Sequence, residues 1–165
     1  MIKTKNLTIR HLNITDADFI LRLTNDPDWL TFIGDKGIRS VDDAVQYIQN
    51  GPMAMYQSHG FGLYFVGLND SETPVGICGI LKRDSLEHPD LGFAFLPEFR
   101  GKGFAFESAE AVLAHAKSEL KLKKILAITL PNNERSKHLL KKAGFQFSHQ
   151  KAEKDYFLDV FEYIV

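Results

Sequence analysis

At 165 residues, with hydrophobic side chains making up 44% of the chain, the protein has the length and apolar content of a single folded domain over 1–165, not of a disordered or fibrous segment. A formal net charge of -1 and a single cysteine, Cys78, argue against general nucleic-acid binding and against an internal disulfide framework. No run approaches the ~18 consecutive apolar residues of a membrane helix, and six scattered histidines lack ligand-like spacing, so the expectation is a soluble, cytoplasmic protein without a structural metal.

The opening MIKTKNLTIRHL alternates polar and apolar residues, which predicts a half-buried or edge strand at Leu7–Leu12 and not a secretory leader. Phe19, Ile20 and Leu23 then recur at helical spacing within Asp16–Thr24. Ser40 with Asp43 is an acidic variant of a capping box ahead of Ala44, Val45 and Ile48, and predicts a second helix. Gly60–Leu68 and Pro74–Leu81 read as strands joined by the turn residues Asn69, Asp70 and Ser71. Asp90–Phe95 is another strand, with Leu91, Phe93 and Phe95 on one face.

Beyond it, Phe106, Ala109, Val112, Leu113, Ala116 and Leu120 repeat every three or four residues, as in an amphipathic helix. Lys124–Leu130 is almost continuously apolar, which fits a strand covered on both faces. A short helix over Glu134–Ala143 should end at Gly144, and Phe145–Ser148 and Tyr156–Ile164 should complete the sheet. The fold expected is mixed α/β, with helices packed on a central sheet.

Charge is unevenly placed. From Arg100 to Lys142 there are ten Lys/Arg against four Asp/Glu, a local +6 that leaves -7 elsewhere. That asymmetry fits an anion bound near the C-terminal half and a cation near the N-terminal half, or a merely solvated surface. Within the basic region, Arg100-Gly101-Lys102-Gly103 leads directly into the long helix. Such a turn can point several backbone N–H groups at one ligand, with the helix dipole adding partial positive charge, and phosphate is its natural guest. The spacing does not match a P-loop, and a dinucleotide fingerprint would need glycine where Phe106 stands. An isolated turn of this kind also fits an exposed connection with no ligand.

The run DLGFAFLPEFRGKGFAFESAEAV, followed by PNNERSKHLLKKAGF, resembles the GNAT superfamily of N-acetyltransferases, and NLTIRHLNITDADFILRL resembles the opening of its Rim-type ribosomal-protein N-terminal acetyltransferase branch. Arg100, Gly103 and Ala105 match the superfamily's Gln/Arg-x-x-Gly-x-Gly/Ala signature. The resemblance implies a mostly antiparallel twisted sheet and acetyl-CoA as co-substrate. It also implies backbone groups of Phe93, Ala94 and Phe95 for the pantetheine arm, and the turn Arg100, Gly101, Lys102, Gly103, Phe104 and Ala105 for the diphosphate. The Rim branch usually has an aromatic residue where Arg100 stands and a small hydroxyl residue where Phe106 stands, so this chain departs from it at two positions.

The same resemblance makes Asp90 the candidate base, Ser136 the candidate proton donor to the departing thiolate, and Asn133 a cofactor contact. Asn133 and Ser136 also fit a plain helix cap and first turn, and Asp90 an exposed strand-end carboxylate. Glu107 reads as a structural partner of the helix dipole, and Cys78 as an inert core thiol that excludes a ping-pong enzyme. Trp29, Phe32, Tyr56 and Phe61 lie in the N-terminal segments that form the family's acceptor side, and fit plain core positions at least as well. The expected activity is direct acetyl transfer to a primary amine, foremost a protein or peptide N-terminus, with small amines or lysine as alternatives. A non-catalytic acyl-CoA sensor and a nucleotide or flavin protein are rival readings. A monomer or homodimer is expected, with no nucleic-acid or membrane partner.

Overall fold

The computed structural model describes residues 1–165. Its strands are β1 (Ile2–Lys3), β2 (Leu7–His11), β3 (Leu63–Leu68), β4 (Pro74–Leu81), β5 (Asp90–Phe95), β6 (Lys124–Thr129), β7 (Gln146–Ala152) and β8 (Phe157–Ile164). The helices are α1 (Ala17–Thr24), α2 (Pro27–Phe32), α3 (Val41–Ile48), α4 (Ala54–His59), α5 (Phe104–Ser118) and α6 (Glu134–Lys142). A π-helical segment over Gln49–Met53 links α3 to α4. The expected mixed α/β architecture is present: one eight-stranded sheet in the order β1-β2-β3-β4-β5-β6-β8-β7, flanked by helices.

Two apolar clusters cover the sheet's two faces. On one, Phe19, Ile20 and Leu23 of α1 meet Phe65 and Ile77 of the sheet, which explains the helical spacing of that segment. On the other, Ala109, Val112, Leu113 and Ala116 of α5 pack on Val66, Cys78, Leu91 and Ile125. Burying such a Leu, Ile or Val side chain is worth roughly 1.5–3 kcal/mol. Cys78 is fully buried, and burial pushes its thiol pKa up to about 12, so it is the inert core group expected.

Two helices were not legible as such. Asp26 accepts from the Asp28 N–H at 3.1 Å ahead of Pro27, a capped start for α2. The second is α4, which ends at Gly60 in the left-handed conformation, so β3 begins at Leu63 instead of Gly60. At the other end of the chain, β7 extends to Ala152, beyond the expected Ser148. Nor is β2 an edge, since the two-residue β1 pairs outside it.

The feature that positions the site is the junction of β5 and β6. Every other neighbouring pair is antiparallel, but these two run parallel and pair at a single position, Asp90 with Leu126, where the Leu126 N–H donates to the Pro89 carbonyl at 2.8 Å. Beyond that point the strands part. By the alternation of a strand, Phe93 and Phe95 turn their amide and carbonyl groups into the gap, while Ala94 turns its own toward Ile77 of β4. Open backbone hydrogen-bonding groups in the middle of a sheet require another partner.

Candidate active site

The turn before α5 has no internal partners for its amides. Arg100 N–H donates to the Pro97 carbonyl at 3.2 Å, and Glu107 N–H to the Gly103 carbonyl at 3.0 Å, but the N–H groups of residues 101–106, between them, meet no acceptor in the chain. Gly101 (φ 75°) and Gly103 (φ 84°) hold left-handed backbone, and a Cβ on either would meet open space. Glycine is therefore demanded by the backbone angle and not by crowding. Gly103 also stands at the N-cap of the 15-residue α5 with no side chain capping it. Unpaired amides and the positive end of the helix dipole converge there, the arrangement that binds phosphate.

Arg100 is engaged within the chain. Its Nη2 donates to Asp26 at 2.7 Å and its Nη1 lies 3.0 Å from Asp28, so its charge is compensated by the start of α2. Arg100 anchors the turn. Arg135 of α6 reaches the same Asp28 carboxylate at 3.1 Å, which joins α2 to α6 across the mouth of the cleft. Lys102 is exposed and lines neither of the two cavities described next.

A cavity of about 310 Å³ lies over the turn, walled by Gly103, Phe104 and Ala105 and by α2 and α6. A second, of about 780 Å³, lies along the parted strands and reaches Asp90. Trp29, Phe32, Ile33, Phe93, Asn133 and Ser136 border both, so the two meet at the gap between β5 and β6. Of the four N-terminal aromatics, Trp29 and Phe32 wall both cavities. Phe61 is in the core, and the Tyr56 hydroxyl donates to the Leu63 carbonyl and accepts from the Leu12 N–H at 2.9 Å. Trp29 is 4% exposed, and its Nε1–H is the one buried side-chain N or O atom without a hydrogen-bond partner. A buried donor left unpaired costs about 1–3 kcal/mol.

Asp90 is not an exposed strand-end carboxylate. It is fully buried, and the Arg83 Nε–H is shared by its two oxygens at 3.0 and 3.1 Å. Burial raises its pKa above the ordinary value, while Arg83 opposes the rise. One N–H does not exhaust a carboxylate's lone pairs, so Asp90 retains the capacity to accept from a ligand or water.

Asn133 caps α6, its side chain accepting from the Ser136 N–H at 3.3 Å. The Ser136 Oγ makes no hydrogen bond within the chain, and the residue is half-buried at the border of both cavities. Asp90, Phe93, Asn133 and Ser136, far apart in sequence, therefore line one space. Glu107 accepts from Thr4 Oγ1 and from both nitrogens of Asn6, which clamps the N-terminal segment to α5. Sequence reasoning missed Asp26, Asp28 and Arg83, and also Tyr47 of α3, which lines the larger cavity. The Asp26-Pro27 pair carried a signal for the first two, whereas Tyr47 and Arg83 are placed by tertiary packing alone.

Comparison with known proteins agrees with this geometry. Residues 6–146 match the family model described as an acetyltransferase (GNAT) domain. The chain is 26% identical over 145 residues to YnaD of Bacillus subtilis (strain 168), an uncharacterized N-acetyltransferase, covering 88% of this chain and 82% of that one. A GNAT-family acetyltransferase from Bacillus anthracis superposes with a TM-score of 0.83 at 23% identity, over 99% of this chain and 97% of that one. RimL, a ribosomal L7/L12 alpha-N-protein acetyltransferase solved in complex with coenzyme A, gives a TM-score of 0.84 at 13% identity, over 98% and 96%. At those identities the two structures establish the fold alone.

Proposed function

Since this chain belongs to the GNAT family of acetyltransferases and is an N-acetyltransferase, we propose that it moves the acetyl group of acetyl-CoA directly onto a primary amine, foremost the α-amine of a protein or peptide N-terminus. The observation that carries this reading is the run of unpaired amides over residues 101–106 beside the gap between β5 and β6. Those amides suit a diphosphate. The open edges of Phe93 and Phe95 suit the amide-bearing pantetheine arm, which brings the acyl group toward Asp90. Gly101, Gly103, Phe104 and Ala105 act through the backbone, and Arg100 acts by holding the turn.

Asp90 takes the amine proton, directly or through a water, and its raised pKa makes it a better base than an ordinary carboxylate. Ser136 Oγ, without a partner of its own, donates toward the leaving thiolate, while Asn133 fixes the start of α6 and borders the acyl donor. Trp29 Nε1–H finds in the bound ligand the acceptor it lacks in the protein. Cys78 is too buried to carry an acyl group, which leaves direct transfer. Its lone thiol also accords with a reducing, cytoplasmic setting.

The α-amine is favoured by acid–base chemistry. With a reference pKa near 8, about 10% of it is neutral at pH 7, against below about 0.1% for lysine near 10.4. Only the neutral amine is a nucleophile. The test is coenzyme A release with acetyl-CoA across peptides and small amines, with mass detection of the product. Acetylated amine is expected. Tight acetyl-CoA binding without turnover of any amine would mark a sensor instead.

A further inference from the structure

Resting on that acetyl-transfer reading, we propose that the acceptor amine carries an anionic group close by, a carboxylate in the simplest case, and that Arg83 with Tyr47 grips it in the larger cavity. Arg83 is held at one edge only. Its Nε–H is spent on Asp90, but Nη1 and Nη2 have no partner in the chain, and the side chain is 41% exposed where it lines the cavity. The loop that carries it is fastened, since Lys82 Nζ donates to the Arg83 and Leu86 carbonyls at 2.9 and 2.8 Å and Leu86 is buried. The guanidinium thus presents a pre-oriented fork of N–H donors, the geometry that takes a carboxylate in two parallel hydrogen bonds.

The neighbouring groups point the same way. The Tyr47 hydroxyl, on α3 in the same cavity, makes no hydrogen bond within the chain and is free to donate. Of the carboxylates lining this cavity, Asp90 is paired with Arg83 and Glu153 with Lys151 at 2.9 Å, whereas Lys36 has no ion pair. The uncompensated charge facing the space is positive. Beyond Asp90, the further ammonium groups of a polyamine would find no unpaired carboxylate here, while an anion would find the free N–H groups of Arg83 and the charge of Lys36. Because Arg83 and Asp90 are in contact, a site for the amine and a site for the anion lie side by side. A molecule with its amine and carboxylate a few bonds apart matches both. Two sources share this chemistry: a free α-amino acid, and a peptide whose N-terminal residue or its neighbour is acidic.

The test uses the full chain with acetyl-CoA and three matched panels. These are free α-amino acids beside their amides and decarboxylated amines, peptides with Asp or Glu beside peptides with Ala or Lys at the first two positions, and spermidine. Carboxylate-bearing acceptors should exceed their neutral partners at least tenfold in kcat/KM, chiefly through KM, and the panel that shows the gap identifies the source. Arg83→Lys keeps a cation beside Asp90 but removes the fork, and should collapse that ratio to a few-fold. If this variant does not fold, wild-type enzyme should still show competition by the N-acetylated acidic product against the amine and not by its amide. Equal use of charged and neutral partners, or preference for spermidine, would overturn the proposal while leaving acetyl transfer intact. Acetyl-CoA binding with no amine turned over would instead overturn the acetyl-transfer reading, and this one with it.

Discussion

Asp26 and Arg100 lie 74 positions apart and meet at 2.7 Å, which ties the start of α2 to the amide turn ahead of α5. The Asp26 side chain is 7% exposed and also caps α2. One carboxylate therefore sets both the wall that carries Trp29 and the orientation of the turn. Asp26→Asn keeps a good cap but removes the charge. The expected outcome is a roughly fivefold to tenfold higher Kd for acetyl-CoA by titration, since hydrogen bonds to charged groups are worth about 1.5–3 kcal/mol and Asp28 still holds Arg100. An unchanged Kd would show that the turn keeps its shape without Asp26.

Gly103 separates strain from ligand approach. Its φ of 84° penalises any side chain by about 1 kcal/mol, so Gly103→Val would confound lost fold with lost binding. Gly60, at φ 78° with equally open surroundings and at the end of α4, supplies the matched control. Gly103→Ala and Gly60→Ala should lower Tm by similar amounts, but only Gly103→Ala should weaken acetyl-CoA binding, by tenfold or more. Isothermal titration beside thermal unfolding reads both. Equal affinities in the two variants would remove Gly103 from the site.

How much was visible beforehand follows from what kind of physics made each part. The segments around Phe19, Val112 and Ile125 announced themselves because burial on one or both faces writes a period into the sequence. The turn was legible because its glycines and the following helix are contiguous. Arg83 and Asp90 were not legible as a pair. Their contact depends on how the loop over residues 82–89 folds back, and no local pattern encodes that. The anchoring of Arg100 was not legible for the same reason: its partner Asp26 sits at a helix start 74 positions away.

Asp90 makes a pH-dependent prediction. Burial raises its pKa in the folded state, with Arg83 opposing. A raised value means that the folded protein holds this proton more tightly than the unfolded chain. The linked stability is then full below the ordinary carboxyl value of ~3.9 and is lost as pH rises through the raised value. Asp90→Asn cannot titrate, so its stability relative to wild type should improve as pH rises from about 4 through the raised Asp90 value in urea unfolding. Its turnover should lie furthest below wild type just above the raised Asp90 value, where Asp90 is ionised but little amine is already neutral, and the deficit should shrink toward the amine's pKa and also where Asp90 itself is protonated. A uniform loss across pH would make Asp90 a positioning group and leave proton removal to bulk water.

Ser136 permits the cleanest substitution in the site, because the cap of α6 uses its backbone. Asn133 Oδ1 accepts from the Ser136 N–H at 3.3 Å, a bond that Ser136→Ala leaves in place, while the hydroxyl removed has no partner in the chain. Alanine is also at home in a helix. Tm should therefore change little, and acetyl-CoA affinity should hold, since the lost interaction belongs to the transition state and not to the bound ground state. Turnover should fall roughly a hundredfold, the lower end of the range for a positioned proton donor. The decrease should appear in kcat and in kcat/KM alike, the signature of an interaction made only at the transition state. A panel of acyl donors sharpens the result. A donor with a better thiol leaving group needs less protonation, so the gap between wild type and Ser136→Ala should narrow as the thiol's pKa falls. Equal turnover in the two proteins, with chemistry shown to be rate-limiting, would return Ser136 to a plain place in the first turn of α6.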